Sequence, residues 1–111
     1  MRQSYTAVVE RNVEWRGDFA VEPYEAAWAS EAIYFVRALA VANLPTGVMA
    51  RVQVSPDGIH WCDEGTTLEL PTVAAGLAFA KVTHFGGWLR LVGKLPDSAT
   101  LKVIAYLVLK E

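Results

Sequence analysis

The side chains best suited to chemistry are concentrated in one short stretch of the chain. It contains Asp57, His60, Cys62, Asp63 and Glu64, and a second histidine, His84, follows further along. On a strand, His60, Cys62 and Glu64 would share one face, because successive side chains alternate between faces. With His84 opposite, this set has the ligand types of a metal site. The alternative, which we favour, is the polar shoulder of a hairpin with a half-buried cysteine, so we expect no metal and no cofactor.

Other sequence patterns of catalysis are missing. The two histidines stand in no recognisable Ser/His/Asp motif. The pair Gly86-Gly87 is not followed by the Lys-Ser/Thr of a phosphate-binding loop. We therefore expect a protein that is not an enzyme.

The most specific local feature is the turn Ser55-Pro56-Asp57-Gly58, which is followed by Trp61. Pro56 presets φ for the second turn position, and Gly58 supplies a left-handed conformation. Ser55 and Asp57 can hydrogen-bond to main-chain amides of the same turn. We predict a well-ordered connection between two strands, with Trp61 covering the hairpin beyond it.

The elements that would hold this turn are strands. Turn signals recur about every ten residues between segments rich in β-branched and aromatic residues, which is typical of an antiparallel sandwich. Ser30–Asn43 is rich in alanine and allows a helix, but its β-branched and aromatic residues favour a strand. We predict an all-β, jelly-roll-like antiparallel β-sandwich of about eight strands. The other clear strands are Tyr5–Glu10, Val48–Val54, Leu77–His84, Trp88–Gly93 and Thr100–Lys110.

Two of the predicted strands, Ile33–Ala42 and Leu101–Leu109, are apolar on both faces. An antiparallel strand of a two-layer fold commonly turns one face toward water. The outer faces of these two strands therefore need a cover, which is either the first thirty residues of the same chain or another subunit. In the second case the interface residues would be Ile33, Phe35, Ile104, Tyr106 and Val108.

The composition limits the partners that we expect. The chain has 111 residues, of which 53% are hydrophobic, and a net charge of −2. Its ten Lys and Arg are scattered singly, so we expect no nucleic-acid partner. Cys62 is the only cysteine, which excludes an intramolecular disulfide.

The length predicts a single domain over residues 1–111. We expect residues 1–30 to be an acidic, irregular segment that packs on the sandwich or on a neighbour. The beginning of the sequence has no apolar core of a signal peptide, and Ala38–Ala50 is interrupted by Pro45 and Gly47. We therefore expect neither a signal peptide nor a membrane span, and we assign no localisation.

Three aromatic residues, Trp15, Tyr24 and Trp28, lie in this first segment. If they are exposed together, they form a platform for stacking on sugar rings or an anchor for a second subunit. The alternative, which we favour for the aromatic residues in general, is that they fill the core and the interfaces.

The turn and the strands after it resemble a group of small β-sandwich modules. The resemblance spans about residues 30–110. Such modules look like those of phage and prophage virion proteins, and of bacterial surface or carbohydrate-binding proteins with a jelly-roll or galactose-binding-like sandwich. The resemblance implies the fold more than the role. The matching residues are Ser55, Asp57, Gly58 and Trp61, then Trp88-Leu89-Arg90-Leu91, then Leu101–Leu109.

These patterns predict a non-enzymatic structural subunit that assembles with copies of itself by burying apolar sheet faces. Its expected setting is virion-associated, as a decoration, capsid-associated or tail-associated protein. The alternative is a carbohydrate-binding module that uses exposed Trp and Tyr side chains. A third hypothesis is an enzyme with a metal at His60, Cys62 and His84.

Overall fold

A computed structural model describes residues 3–111, which contain nine strands and no helix, and hence no helix that could span a membrane. Sheet A has the strand order β1-β9-β4-β7, and sheet B has the order β2-β8-β5-β6 with β3 also paired to β8. All of the pairings are antiparallel. The strands are β1 (Ser4–Trp15), β2 (Asp18–Ala20), β3 (Tyr24–Glu25), β4 (Glu31–Ala42), β5 (Met49–Ser55), β6 (Cys62–Glu69), β7 (Leu77–Thr83), β8 (Trp88–Lys94) and β9 (Thr100–Lys110).

The two sheets share one hydrophobic core, and period-two alternation decides which side chains enter it. In β9 every second residue is buried, from Leu101 through Val103 and Leu107 to Leu109. Val52 of sheet B belongs to the same core cluster. The prediction of an all-β antiparallel fold is therefore confirmed, and the arrangement is sandwich-like.

The N-terminal segment, expected to be irregular apart from the strand Tyr5–Glu10, is largely strand between Ser4 and Glu25, and this expectation is corrected by the structure. The 12-residue β1 pairs with β9, while β2 and β3 pair with β8. The pattern of β1 is hard to read because its register shifts twice, between Val8 and Glu10 and between Arg11 and Val13. Each bulge moves the following side chains to the other face and breaks the alternation. The segment thus extends both sheets instead of lying across their outer faces.

Strand β6 follows the predicted turn, but it has no clear strand pattern in the sequence. It contains Asp63, Glu64 and Gly65, which are residues that strands disfavour. Its pairing with β5 is regular at both ends and shifts in register in the middle, between Arg51 and Gln53 on the partner strand. Tertiary pairing along β5 therefore outweighs the local preference of these residues.

Candidate functional site

The turn between β5 and β6 is built around one carboxylate, that of Asp57. Asp57 Oδ1 accepts hydrogen bonds from the main-chain N–H groups of Ile59 (2.8 Å) and His60 (2.9 Å) and from the hydroxyl of Ser55 (3.0 Å). Its other oxygen lies 2.7 Å from His60 Nδ1. These bonds, with those from His60 first, hold the pKa of Asp57 well below its ordinary value of 3.8. The carboxylate thus holds the turn in shape.

The glycines of this region permit close approach of two loops. Gly58 has φ of 79°, and a side chain there would meet the ring of Trp88 at 3.2 Å. Gly87 has φ of 75°, and a side chain there would collide with the carbonyl oxygen of Ser55. The turn therefore sits directly on the start of β8, which explains why glycine occupies both positions.

Ser55, Asp57 and His60 are close together but are not arranged for nucleophilic catalysis. A catalytic triad needs the imidazole between the nucleophile and the carboxylate. Here the carboxylate lies in the middle and binds both other groups, and the Ser55 side chain is buried at 1% exposure. Ser55 Oγ also accepts bonds from the N–H groups of Asp57 and Gly58. The grouping is therefore explained by the structure of the turn.

The residues considered for metal binding are only partly brought together. Cys62, Glu64 and His84 line an open groove of about 400 Å³, whereas His60 turns away to Asp57 with 81% of its side chain exposed. Within residues 3–111, no group of three or more His, Cys, Asp or Glu side chains has the geometry to hold a metal ion.

The three aromatic residues considered as a platform are not exposed together. Trp15 is buried at 3% exposure, and its ring stacks on that of Phe19 with 3.9 Å between centroids. Phe19 in turn packs against Gly93, where a side chain would collide with its ring. Trp15 therefore belongs to the core and cannot bind a ligand at the surface. Tyr24 is half-buried and stacks on Tyr5, whereas Trp28 is 41% exposed.

The outer face of sheet A is the most distinctive surface of the molecule. The strand register aligns four apolar residues in one row that crosses all four strands: Val8, Tyr106, Phe35 and Phe79. The Phe35 and Phe79 rings are 6.0 Å apart, and Val8 and Phe79 are 40% and 58% exposed. We call this set the central row.

Two further rows flank the central row and add apolar residues. One row contains Val108 and Ile33, and the other contains Ile104 and Leu77. All five residues predicted as an interface, namely Ile33, Phe35, Ile104, Tyr106 and Val108, thus lie together on this face and are half-buried. Val8, Leu77 and Phe79 also belong to it and were missed, because only the strand order places β1 and β7 beside the central strands.

Charged residues surround the central row without entering it. The flanking rows bring in Lys81, Arg11 and Arg37, and the outermost rows bring in Glu31 with Lys110 and Glu14 with Lys102. An apolar centre with a charged rim is the usual anatomy of a protein–protein interface. The excess of hydrophobic residues in the composition is therefore located, in part, on this surface.

The outer face of sheet B has a different character. Gln53 accepts a hydrogen bond from Arg90 (2.8 Å) and donates one to Asp63 (2.9 Å), which also accepts one from Arg51 (3.3 Å). These bonds, with that from Gln53 first, lower the pKa of Asp63. The guanidinium of Arg90 also lies 4.3 Å from the ring centroid of Trp61. Polar side chains thus bind one another across β8, β5 and β6.

Comparisons with known proteins add no family. No protein-family model matches the chain, and no curated protein matches it. Among solved structures, a crystal structure of FLHE aligns with 98% of this chain and 96% of its own, at 17% identity and a TM-score of 0.44. A likeness of this degree assigns neither a family nor a function.

Proposed function

We propose that the protein is a non-enzymatic structural subunit that assembles with copies of itself through the outer face of sheet A. The observation that carries the proposal is the central row, which places four apolar side chains side by side across the whole width of the sheet. Scattered apolar residues are normal on a protein surface, but a contiguous patch marks an interaction site. The N-terminal segment could have covered this face, but its strands β1, β2 and β3 are paired within the two sheets instead.

The size of the face suits a second copy of the chain. The 11 residues of β9 at about 3.4 Å each, and four strands at about 4.8 Å each, define roughly 700 Å² of sheet. A stable interface commonly buries about 800 Å² on each partner. Two such faces packed together would exclude water from both central rows while the charged rims stay hydrated.

The non-enzymatic part of the proposal is supported by the geometry of the β5–β6 turn. Its serine, carboxylate and histidine have all of their close contacts explained by the turn itself. The virion-associated setting and the jelly-roll form of the sandwich rest on the sequence resemblance around Ser55–Trp61. Both stay predictions.

The proposal is tested by the mass of the protein in solution. We expect sedimentation at high micromolar concentration to give a mass above the 12.2 kDa of one chain. Phe35→Lys places a charge in the central row and should lower that mass. The matched control is Met49→Lys, because Met49 is 42% exposed on the outer face of sheet B. A monomeric wild type, or equal masses for the two lysine variants, would overturn the proposal.

Carbohydrate binding stays a second prediction, now without Trp15. The favourable observation is the exposure of Trp28 and of Tyr5, at 41% and 52%. Tryptophan fluorescence should then change on titration with glycans in the wild type and in Trp15→Phe, but not in Trp28→Ala. Flat titrations across a glycan array would count against this function and would leave the assembly proposal unaffected.

A further inference from the structure

The two edges of sheet A are not equally available for pairing with another chain. Strand β1 forms one edge and carries two register shifts, and its Asn12 has φ of 58°. Bulges of this kind disturb the row of edge donors and acceptors and protect an edge against pairing. Strand β7 forms the other edge, and its seven paired residues run against β4 without a register shift. It also contains no proline, so every residue of β7 keeps its N–H group.

The hydrogen-bond pattern shows which main-chain groups β7 presents at this edge. Ala38 of β4 donates its N–H to the carbonyl oxygen of Gly76, which stands opposite at 2.8 Å. Hydrogen-bonded pairs alternate along an antiparallel ladder, so Ala78, Ala80 and Val82 direct their N–H and C=O groups to β4. The groups of the residues between them point away from β4. These residues are Leu77, Phe79, Lys81 and Thr83.

We propose that β7 pairs antiparallel with β7 of a second copy of this chain. When Ala80 lies opposite Ala80 of the second copy, Leu77 lies opposite Thr83 and Phe79 opposite Lys81. In this register each residue whose N–H and C=O groups point away from β4 stands opposite another such residue. All of these main-chain groups of both strands can therefore form hydrogen bonds. The alternative centred on Phe79 leaves the groups of Thr83 unpaired.

The side chains are also compatible with this register. Side chains of the outer face stand opposite side chains of the outer face, so the inner faces of both copies still pack on their cores. Each Lys81 stands beside Phe79 of the other strand, where its aliphatic stem and ammonium group can pack on the ring. No lysine faces a lysine, and Leu77 and Phe79, 60% and 58% exposed, lose solvent contact. The two outer faces of sheet A then join into one eight-stranded face.

The inference rests on the proposed function in one respect, which is that the partner is a second copy of the chain. It relies on the main chain of β7, and of the central row it involves only Phe79. Face packing and edge pairing therefore predict two separate association steps. Phe35→Lys should remove the first step and leave a dimer with twice the 12.2 kDa of one chain.

A cysteine at the two-fold axis tests the register directly. In the double variant Cys62→Ser/Ala80→Cys, the native thiol is removed and each copy carries one cysteine at position 80. The two cysteines form a non-hydrogen-bonded pair with Cα atoms about 4.5 Å apart, which a disulfide can bridge. The matched control is Cys62→Ser/Ala78→Cys, on the same strand and the same side. Its two cysteines would be separated by four residues, or about 14 Å, which a disulfide cannot span.

Mild oxidation should convert most of the Ala80→Cys protein to a covalent dimer on a non-reducing gel, and the control should stay monomeric. Absence of that dimer, or equal cross-linking of both variants, would overturn the inference.

If circular dichroism shows that Ala80→Cys does not fold, Lys81→Pro tests the edge pairing instead, because it removes one N–H group from the edge of β7. Its mass in solution should fall to half that of Lys81→Ala, and an equal mass would overturn the edge pairing. The comparison of Phe35→Lys with Met49→Lys tests the proposed function separately.

Discussion

The outer faces of the two sheets both consist of the outward side chains of alternating strands, but that of sheet B is polar and that of sheet A is apolar. On sheet B the outward positions of β5 are polar at Arg51 and Gln53, and they bond to Asp63 and Arg90. On sheet A the outward positions of β9 include the half-buried apolar residues Ile104, Tyr106 and Val108. The polar side chains of sheet B thus find hydrogen-bond partners within the monomer, whereas the apolar side chains of β9 on sheet A stay half-buried. The assembly proposal rests on this difference between the two faces.

The first prediction compares two valines of β9 that differ only in the face they occupy. Val103 is fully buried between the sheets, and Val108 lies on the outer face. Val103→Ala should cost about 2–3 kcal/mol of unfolding free energy at any protein concentration, because it removes two methyl groups and leaves a cavity. Val108→Ala should cost under about 1 kcal/mol in dilute solution, and more as the concentration rises.

Urea unfolding at low and high protein concentration measures both costs. A Val108→Ala cost that stays the same across the concentration range would show that the outer face of sheet A is not buried by association. The contrast between the two outer faces would then no longer support assembly through sheet A.

The second prediction concerns the polar network of sheet B. Gln53→Ala removes one hydrogen bond to Asp63 and one from Arg90, so it should lower the unfolding free energy by about 1 kcal/mol. The mass in solution should stay that of the wild type, because this face is satisfied within the monomer. Met49→Ala, on the same face but outside the network, is the matched control and should change neither quantity. A changed mass in Gln53→Ala would show that sheet B also takes part in assembly.

The third prediction is a pH dependence that arises on the sheet B side of the molecule. Asp57 and Asp63 both have a pKa below the ordinary value of 3.8 in the folded protein. Their stabilising contribution is therefore complete above that value, and it is lost as the pH falls through the folded pKa. The thermal midpoint should drop between pH 5 and pH 3 (both roughly one unit from the ordinary value) by more in the wild type than in Asp57→Asn. Equal drops would show that Asp57 does not contribute.

The smallest effect is expected in the core that both sheets share. Tyr34 is fully buried, and in the described part of the chain its hydroxyl has no hydrogen-bond partner. Burial raises the pKa of this phenol, so it stays neutral. Tyr34→Phe should leave the unfolding free energy within about 0.5 kcal/mol of the wild type or raise it, since no bond is lost. A loss of more than about 1 kcal/mol on urea unfolding would reveal a partner for the hydroxyl.

The strands that alternate regularly could be predicted from the sequence, and the others could not. The prediction for Thr100–Lys110 matches β9, because its apolar residues recur without interruption. Strands β2 and β3 have three and two residues, which is too short for any period to show. They exist because β8 offers a free edge to pair with, and that edge is created by residues far away in the chain.

On the outer face of sheet A, the residues of the two central strands could be predicted from the sequence, whereas those of the two edge strands could not. The five predicted interface residues lie on β4 and β9, whose two-sided apolar patterns are visible in the sequence. Val8 precedes a bulge, and Phe79 lies on a strand whose neighbours depend on the strand order. The burial of Trp15 could not be read from the sequence either, because the ring on which it stacks, that of Phe19, belongs to the other sheet.

The pairing of β1 with β9 has a consequence for how the chain acquires its shape during synthesis. Strand β9 lies at the centre of sheet A, between β1 and β4, although it is translated last of the nine. Residues 4–15 must therefore wait for residues 100–110 before they find their partner, which gives contacts of long sequence separation and slow folding. The central row depends on β1, β4, β7 and β9, so it comes into being only when this last strand inserts. A nascent chain that is still being translated through β9 thus cannot yet offer the surface by which it would join another copy.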